Sequence, residues 1–511
     1  MFRYLLSVIV AIELAGTLAM TSDVACGAEG NLPNIVILYA DDMGHGDLGV
    51  QNRESKIPTP NLDRLASEGT RFTDAHSSSG ICTPSRYAML TGRYHWRRFH
   101  NIVNAWGPSV FAQDDLTMAQ MLKAHGYRTA CIGKWHLGWD WAAIRKPGAT
   151  PMKVKNASVW QADAFDWTRP IPDGPLDHGF DDYFGDDVPN FPPYTWIENR
   201  TVTDAPTVPY APNPKPAEGA PEGRPGPMVA DWRQDQVMPE LTRRAVSWIK
   251  DRRGEAMPFF LYFPWTSPHA PIVPTAEWQG KTKAGGFGDF MAESDWCAGQ
   301  VLQALDENGF RENTLVIFTA DNGPERYAYD RIRNFQHRSM GELRGLKRDI
   351  WDGGHRVPLV IRWPGVVPAG RVSGELISQV DFMATVAAIV GAVLPDSAAD
   401  DSLNQLDLIK GASSSARTRH VHNTNKDHYA IRKDNWVLIN APTGAVSQVP
   451  KWFDEQFAYS KDEHPAALYN LNDDIAQRKN LFAEFPQKVA ELRADLDALR
   501  TTSQRQSPDL Y

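Results

Sequence analysis

The sequence predicts a large α/β domain on a mostly parallel central sheet flanked by helices, with a smaller C-terminal α+β domain of antiparallel strands packed on it. Three observations carry this. The stretches 34–40 and 314–320 are apolar throughout, as strands buried on both faces of a parallel sheet must be. Helix-length amphipathic stretches alternate with such runs, an order that lays helices over a parallel sheet. After about residue 415 the pattern changes to short strands separated by polar turns, and a charged amphipathic helix closes the chain.

Taken in order, Arg3 precedes an apolar run over residues 4–12, and small residues lead to Cys26-Gly27-Ala28. This is the layout of a secretory signal peptide over 1–28, cut after Ala28, and it predicts a secreted or periplasmic protein. The run is short for a membrane span and Glu13 interrupts it, while Asp23 stands where a lipoprotein signal wants an apolar residue. No stable membrane anchor is expected. The main domain then covers 29–415 and the smaller one 416–511.

Strand 34–40 ends at Asp41-Asp42, and Gly44, Gly46 and Gly49 make a turn-rich loop. Residues 59–69 read as a short amphipathic helix closed by Gly69. Pro84 suits the first turn of a further helix, with Tyr87, Met89 and Leu90 on its apolar side and Gly92 at its end. That puts Cys82 at the positive end of a helix dipole beside the fixed cation Arg86, where a polarised or anionic group is stabilised. Read alone, the stretch fits a half-buried structural thiol equally well. A helix over 116–125 stops at Gly126, and 127–133 is the next strand. Regularity breaks down over 140–230, where 206–227, rich in proline, glycine and alanine, reads as an extended surface excursion. Helix 239–250, strand 258–263, helix 287–308, strand 314–320, strand 359–363 and helix 380–390 complete the domain. Beyond 415 come strands 429–432 and 436–439 and helix 486–499.

A chain of 511 residues, 42% of them hydrophobic, can bury a substantial core. The net charge of −9 is spread without long acidic or basic runs, which excludes a nucleic-acid binder and leaves any anionic ligand to a local cluster of cations. Removal of the signal leaves Cys82, Cys131 and Cys297, too few for a disulfide framework in an exported protein. At most one bridge can form. The sequons at Asn156 and Asn199 matter only if the source glycosylates its exports.

The chemistry lies at strand ends. Two buried strands each deliver a polar pair at their carboxyl ends, Asp41-Asp42 and Asp321-Asn322, and in an open parallel sheet those ends share the ligand-binding edge. Singly each pair could be a helix cap or turn. Together, three carboxylates and an amide oxygen make a hard, oxygen-only site suited to Ca²⁺ or Mg²⁺. Cations and histidines follow in the loops: Lys134 and His136 after the Cys131 strand, His269 after the strand at 258–263, and Lys347 in Leu343-Arg344-Gly345-Leu346-Lys347. A lone loop histidine or lysine is usually solvated, but these share one topological position beside the expected metal.

These residues resemble the type I, formylglycine-dependent sulfatases of the alkaline-phosphatase-like superfamily, the arylsulfatases among them. Cys82-Thr83-Pro84-Ser85-Arg86 with Leu90-Thr91-Gly92-Arg93 fits the signature C-x-P-S-R-x-x-x-L-T-G-R at every fixed position. Further matches are Ala40-Asp41-Asp42-Met43-Gly44, Gly133-Lys134-Trp135-His136-Leu137-Gly138, Ala320-Asp321-Asn322-Gly323 and Gly353-Gly354-His355-Arg356-Val357-Pro358. Residues 467–474 resemble the strand of the family's smaller domain. The resemblance covers nearly all of the mature chain. It implies that a maturation enzyme oxidises Cys82 to formylglycine, an aldehyde that hydrates to a gem-diol. It implies that Asp41, Asp42, Asp321 and Asn322 hold one Ca²⁺ (or Mg²⁺) together with that residue, that Arg86 and Lys134 steady the diol, and that Lys134, His269 and Lys347 meet the sulfate ester.

The elementary chemistry agrees. Sulfate-ester cleavage needs an in-line nucleophile, cations around the sulfuryl oxygens, and a proton for the leaving alcohol. One diol hydroxyl attacks with Ca²⁺ as Lewis acid and template; His269 is placed to protonate the leaving oxygen, and His136 to take the proton from the second hydroxyl as sulfate departs. The expected substrate is an aryl sulfate or a sulfated carbohydrate. Tryptophans in the 135–200 region could stack on sugars or simply pack loops, and His95, Arg97, Arg98 and His100 could meet a polyanion or form a solvated face. The competing functions are a formylglycine-dependent phosphonate or phosphate monoesterase and a glycan-binding pseudoenzyme.

Overall fold

The computed structural model describes residues 32–154, 157–219, 222–461 and 463–502. The expected signal peptide, Cys26 and the Asn156 sequon lie outside the described residues. A ten-stranded sheet runs through the molecule. Its strands are β1 (Asn34–Ala40), β2 (Thr70–Phe72), β3 (Arg128–Ile132), β4 (Asp182–Gly185), β5 (Ile197–Glu198), β6 (Thr201–Val202), β7 (Phe259–Pro264), β8 (Thr314–Ala320), β9 (Leu359–Arg362) and β10 (Arg371–Ser373). Their spatial order is β10-β2-β9-β8-β1-β7-β3-β4-β5-β6. The central strands β8, β1, β7, β3 and β4 are parallel, whereas β9 runs antiparallel to β8 and β2 to β9.

Alternation along β1 shows why both faces are dry. Ile35, Ile37 and Tyr39 enter one core with Tyr87, Met89, Leu122 and Phe382. Val36, Leu38 and Ala40 enter the other with Leu62, Leu241, Ile249 and Val301. Helices α1 (Pro60–Ser67), α4 (Val237–Asp251) and α5 (Gly285–Glu307) supply the second face, and α2 (Cys82–Thr91), α3 (Met118–Ala124) and α6 (Phe382–Val390) the first. A fully buried Leu or Ile contributes about 1.5–3 kcal/mol, so a strand buried on both faces needs no polar alternation.

Register places the site. Ala40 lies level with Ala320, Tyr39 with Pro264, and Tyr262 with Cys131. Asp321 N donates to Ala40 O at 3.0 Å and Asp41 N to Ser267 O at 3.0 Å. The residues after β1, β8, β7 and β3 therefore leave the sheet at one height. At Gly133 the backbone takes φ +133° and its Cα faces Pro264 O, so close that a Cβ would lie 1.9 Å from it. This contact locks the exit of β3 against β7.

A second, antiparallel sheet comprises β11 (Arg419–Asn423), β12 (Tyr429–Lys433), β13 (Trp436–Ile439) and β14 (Ala467–Asn470). Val489, Leu492, Leu496 and Leu499 of α7 (Pro486–Thr501) cover one face with Ile431, Leu438 and Leu468. The other face packs on Ile350 and Trp351.

Several expectations are refined. The proline-rich excursion is pinned at several points: Val208 and Pro209 pair with Met228 and Pro227, Ala217 N donates to Ile272 O at 2.8 Å, and Glu218 meets Arg331 at 3.0 Å. It braces the loop that carries His269. Trp135, Trp139 and Trp141 are fully buried, so these rings pack loops onto the sheet. His95 is buried against Asn423. Arg97 is held by Asp401 at 2.7 and 2.6 Å, Arg98 by Asp114 at 2.6 Å, and His100 by Asn423 at 3.1 Å. His95, Arg97 and His100 are thus held by amide and carboxylate partners and are not a free anion-binding patch, while Arg98 stays exposed beside Asp114. Cys82, Cys131 and Cys297 are buried and free.

Candidate active site

Helix α2 begins at Cys82, with Ile81 extended before it and Gly92 closing it at φ +66°. All ten of its residues are buried. Cys82 Sγ lies 3.6 Å from Asp41 Oδ1 and 3.7 Å from Lys134 Nζ. Burial pushes its thiol far above the ordinary range, with Lys134 and Lys347 opposing. The unmodified side chain is thus a neutral thiol and a poor nucleophile.

Around it the strand-end residues converge as expected. Asp42, in the left-handed region at φ +62°, donates its backbone N–H to Asp321 Oδ1 at 3.1 Å. Asn322 Nδ2 donates to Asp42 Oδ1 at 2.7 Å. Arg86 donates to Asp321 Oδ2 through Nε and a terminal nitrogen at 3.1 and 2.8 Å, and to the Lys134 carbonyl at 3.1 Å. Lys134 Nζ donates to Asp41 Oδ2, and Lys347 Nζ to Asp42 Oδ2 at 2.7 Å. Burial alone would push the Lys347 ammonium down, but Asp42, with Glu325, holds it above its ordinary value. Burial likewise pushes Asp42 up, and Lys347, His269 and Lys134 outweigh it to hold the carboxyl low. Asp321 goes the other way, raised by burial and then by Asp41.

The donor set fits a hard divalent cation. Asp41, Asp42, Cys82 and His269 each bring a ligand atom within 4.8 Å of one another. Asn322 Oδ1 is buried with no hydrogen-bond partner among the described residues. Three carboxylates and a spare amide oxygen, dry and opposed by three cations, suit Ca²⁺ or Mg²⁺.

The histidines are in defined tautomers. His136 Nε2 faces Val103 O at 2.9 Å, so it must donate, leaving a lone pair on Nδ1, which is buried and unpartnered among the described residues. His269 Nδ1 faces its neighbour's carbonyl, Ala270 O, at 2.5 Å, leaving Nε2 free to point toward Asp42 Oδ2, 3.7 Å away. Burial, then Lys347, pushes the His269 imidazole down to about 3.

The structure adds residues that the sequence reading missed. Asp186 and Asp187 follow β4 at the same sheet edge, as Asp41-Asp42 follow β1. Asp187 Oδ1 accepts from His136 N at 3.1 Å. Burial raises Asp186 to about 7 and Asp187 to about 6. The signal existed, an acid pair after a short apolar run, but the surrounding 140–230 stretch has no regular pattern to frame it. Glu325 is a second addition, 3.9 Å from Lys347 and bidentate with Arg348 at 2.9 and 2.8 Å. Beside it opens a cleft of about 650 Å³ lined by Glu222, Glu325, Arg326, Tyr327, Arg348 and Ser447.

Comparison with known proteins agrees with this geometry. A sulfatase family profile matches residues 33–392, and one described as the C-terminal region of N-sulphoglucosamine sulphohydrolase matches 345–502. The chain is 33% identical over 508 residues to an N-acetylgalactosamine-6-O-sulfatase of Bacteroides thetaiotaomicron, covering 93% of this chain and 94% of that one. A solved Bacteroides thetaiotaomicron structure, a 6S-sulf protein from the metabolism of multiple glycosaminoglycans, superposes with TM-score 0.76 at 29% identity, over 92% of this chain and all of that one. Phosphonate monoester hydrolase of Agrobacterium radiobacter shares the fold, with TM-score 0.58 at 17% identity, over 92% of this chain and 95% of that one.

Proposed function

The chain belongs to the sulfatase family, and from that premise we propose that it hydrolyses the 6-O-sulfate of an N-acetylgalactosamine-type sugar, using a formylglycine made from Cys82 and one Ca²⁺. The observation that carries this is the convergence of Cys82, three carboxylates, Asn322, three cations and two histidines of fixed tautomer on one buried sheet edge. The sugar is suggested by the N-acetylgalactosamine-6-O-sulfatase relative, which matches along nearly its full length. The cleft lined by Glu325, which itself lies 3.9 Å from Lys347, has room for such a ring.

Asp41, Asp42, Asp321, Asn322 and the modified Cys82 would hold the cation, which supplies Lewis-acid polarisation of a sulfate oxygen. The formylglycine hydrate supplies the attacking hydroxyl, and two hydroxyls allow sulfate to be expelled afterwards. The chain's own residues do the rest. Arg86 orients Asp321 and, through the Lys134 carbonyl, the backbone of the β3 loop. Lys134 and Lys347 place two ammonium groups where sulfuryl oxygens gather charge, an effect strengthened by burial. His269 Nε2 is the nitrogen available to protonate the leaving sugar oxygen, and the negative charge of the ester favours its protonated form. His136 Nδ1 holds the lone pair that takes a proton from the modified Cys82, and Asp187 fixes its backbone.

Export through residues 1–28, maturation by a formylglycine-generating enzyme, and a boundary near 415 between catalytic and smaller domains belong to the same proposal. No described helix is long and apolar enough to cross a membrane. The test is a side-by-side assay on 6-O-sulfated N-acetylgalactosamine, an aryl sulfate and an aryl phosphate. Sulfate release from the sugar is expected to dominate. Preferential phosphate-ester hydrolysis would assign the site to the phosphomonoesterase chemistry instead, and no turnover of any ester by aldehyde-bearing protein would leave a binding role.

A further inference from the structure

The Gly353-Gly354-His355-Arg356 motif takes no part in the site above, yet His355 is buried beside His76 and His420, far along the chain from each other. One nitrogen from each of the three lies within 4.8 Å of the others. His76 Nδ1 and His355 Nδ1 face each other at 3.0 Å. The outer nitrogen of His76, Nε2, lies 2.7 Å from Asp74 Oδ1, so it carries the proton and Nδ1 carries a lone pair. The His355 ring also lies beside the Ile350 backbone. His420 has Nδ1 3.3 Å from the Tyr94 hydroxyl, while Nε2 is buried and unpartnered among the described residues. The His76 lone pair faces a nitrogen of His355 in a dry interior, with the His420 nitrogen unpartnered beside them among the described residues, an arrangement that a cation held by all three would satisfy. The Asp74 carboxylate on His76 matches the pattern of metal-bound histidines, in which a second group fixes the tautomer of the ligand.

We propose that His76, His355 and His420 form a second metal site, for zinc, between the main sheet and the C-terminal sheet. An all-imidazole donor set selects a borderline ion such as Zn²⁺ over the Ca²⁺ or Mg²⁺ expected at Asp41 and Asp321. Burial pushes all three imidazoles below the ordinary histidine range. The surroundings hold two carboxylates and two guanidiniums: Asp74 meets Arg432 at 2.5 Å and Arg356 at 3.4 Å, and Asp352 meets Arg356 at 3.3 Å. The site would join three pieces. His76 and His355 are linked by Ser77 N to His355 O at 2.9 Å, His420 belongs to β11, and Gly354 O accepts from Gly323 N at 2.9 Å, behind Asn322.

The test loads the full-length protein with ZnCl₂ in excess calcium, desalts it, and measures bound zinc and its X-ray absorption spectrum. About one zinc per chain with a nitrogen-rich shell near 2.0–2.1 Å is expected. Cys82→Ser should retain it, and His420→Phe and His420→Gln, each checked for fold by circular dichroism, should fall below about 0.2 zinc per chain. Wild-type protein without zinc would overturn the proposal and point to a proton shared by His76 and His355. Zinc retained in a folded His420 variant, or a shell of oxygen and sulfur, would overturn it equally.

Discussion

Lys347 offers the sharpest single perturbation. Its ammonium sits 2.7 Å from the buried Asp42 Oδ2 and 3.9 Å from the partly buried Glu325. Lys347→Met keeps most of the side-chain volume and removes only the charge. Two effects follow from the geometry. A buried, preorganised cation facing the sulfuryl oxygens contributes as an oxyanion-hole donor does, so kcat/KM should fall about 10²–10³-fold, or 2.7–4 kcal/mol. The same change strands the Asp42 carboxylate, which should cost about 3–5 kcal/mol of stability when the protein is stripped of divalent ions. Saturating calcium should restore most of that stability but not the activity, because the ion neutralises Asp42 without replacing the second positive charge. Steady-state kinetics on a sulfate ester and thermal unfolding with and without chelator measure the two effects separately. A variant within about threefold of wild-type kcat/KM would refute the role given to Lys347.

Cys82→Ser is expected to give at most one product per active site and then stall, since a serine lacks the second hydroxyl; sustained turnover at the wild-type rate would sink the mechanism. His136→Ala should lower turnover about 10²–10⁴-fold through loss of the Nδ1 base, with little change in the sulfate released in the first turnover. Gly133→Ala drives a Cβ to 1.9 Å from Pro264 O at φ +133°, and should lower stability by about 2–4 kcal/mol together with activity, read by thermal unfolding. His95 is buried and its imidazole is pushed down to about 3 by burial. The unfolded chain binds its proton near 6.5, so this stability is complete above that pH and is lost as pH falls toward 3, at about 1.4 kcal/mol per unit. Denaturant titrations of wild type and His95→Gln between pH 7 and 4.5 should therefore converge at the acid end; parallel curves would contradict the burial argument.

The candidate edge was legible because its residues sit at the ends of apolar strands, and strand register turns sequence position into a shared height. Asp41, Asp321, Lys134 and His269 needed only that rule. Asp186 and Asp187 obey the same rule but escaped notice because β4 is four residues long inside an irregular stretch. Direction was a further gap: nothing in Leu359–Arg362 says that it runs antiparallel to β8, since an apolar run reads alike in both senses. The cluster of His95, Arg97, Arg98 and His100 misled for the opposite reason. Their partners, Asn423, Asp401 and Asp114, are supplied partly from more than 300 residues away, and only tertiary structure shows that these charges are already met. The His76, His355 and His420 grouping is likewise invisible in one dimension, because each histidine comes from a different segment.

The central claim is that the working group is no longer a cysteine. Mass analysis of the peptide containing Cys82, across preparations matured to different extents, tests it most directly when paired with specific activity on a sulfated sugar. The account predicts activity strictly proportional to the fraction of peptide carrying the aldehyde, extrapolating to zero when every copy is a thiol. Full activity from protein whose Cys82 peptide is entirely unmodified would contradict it.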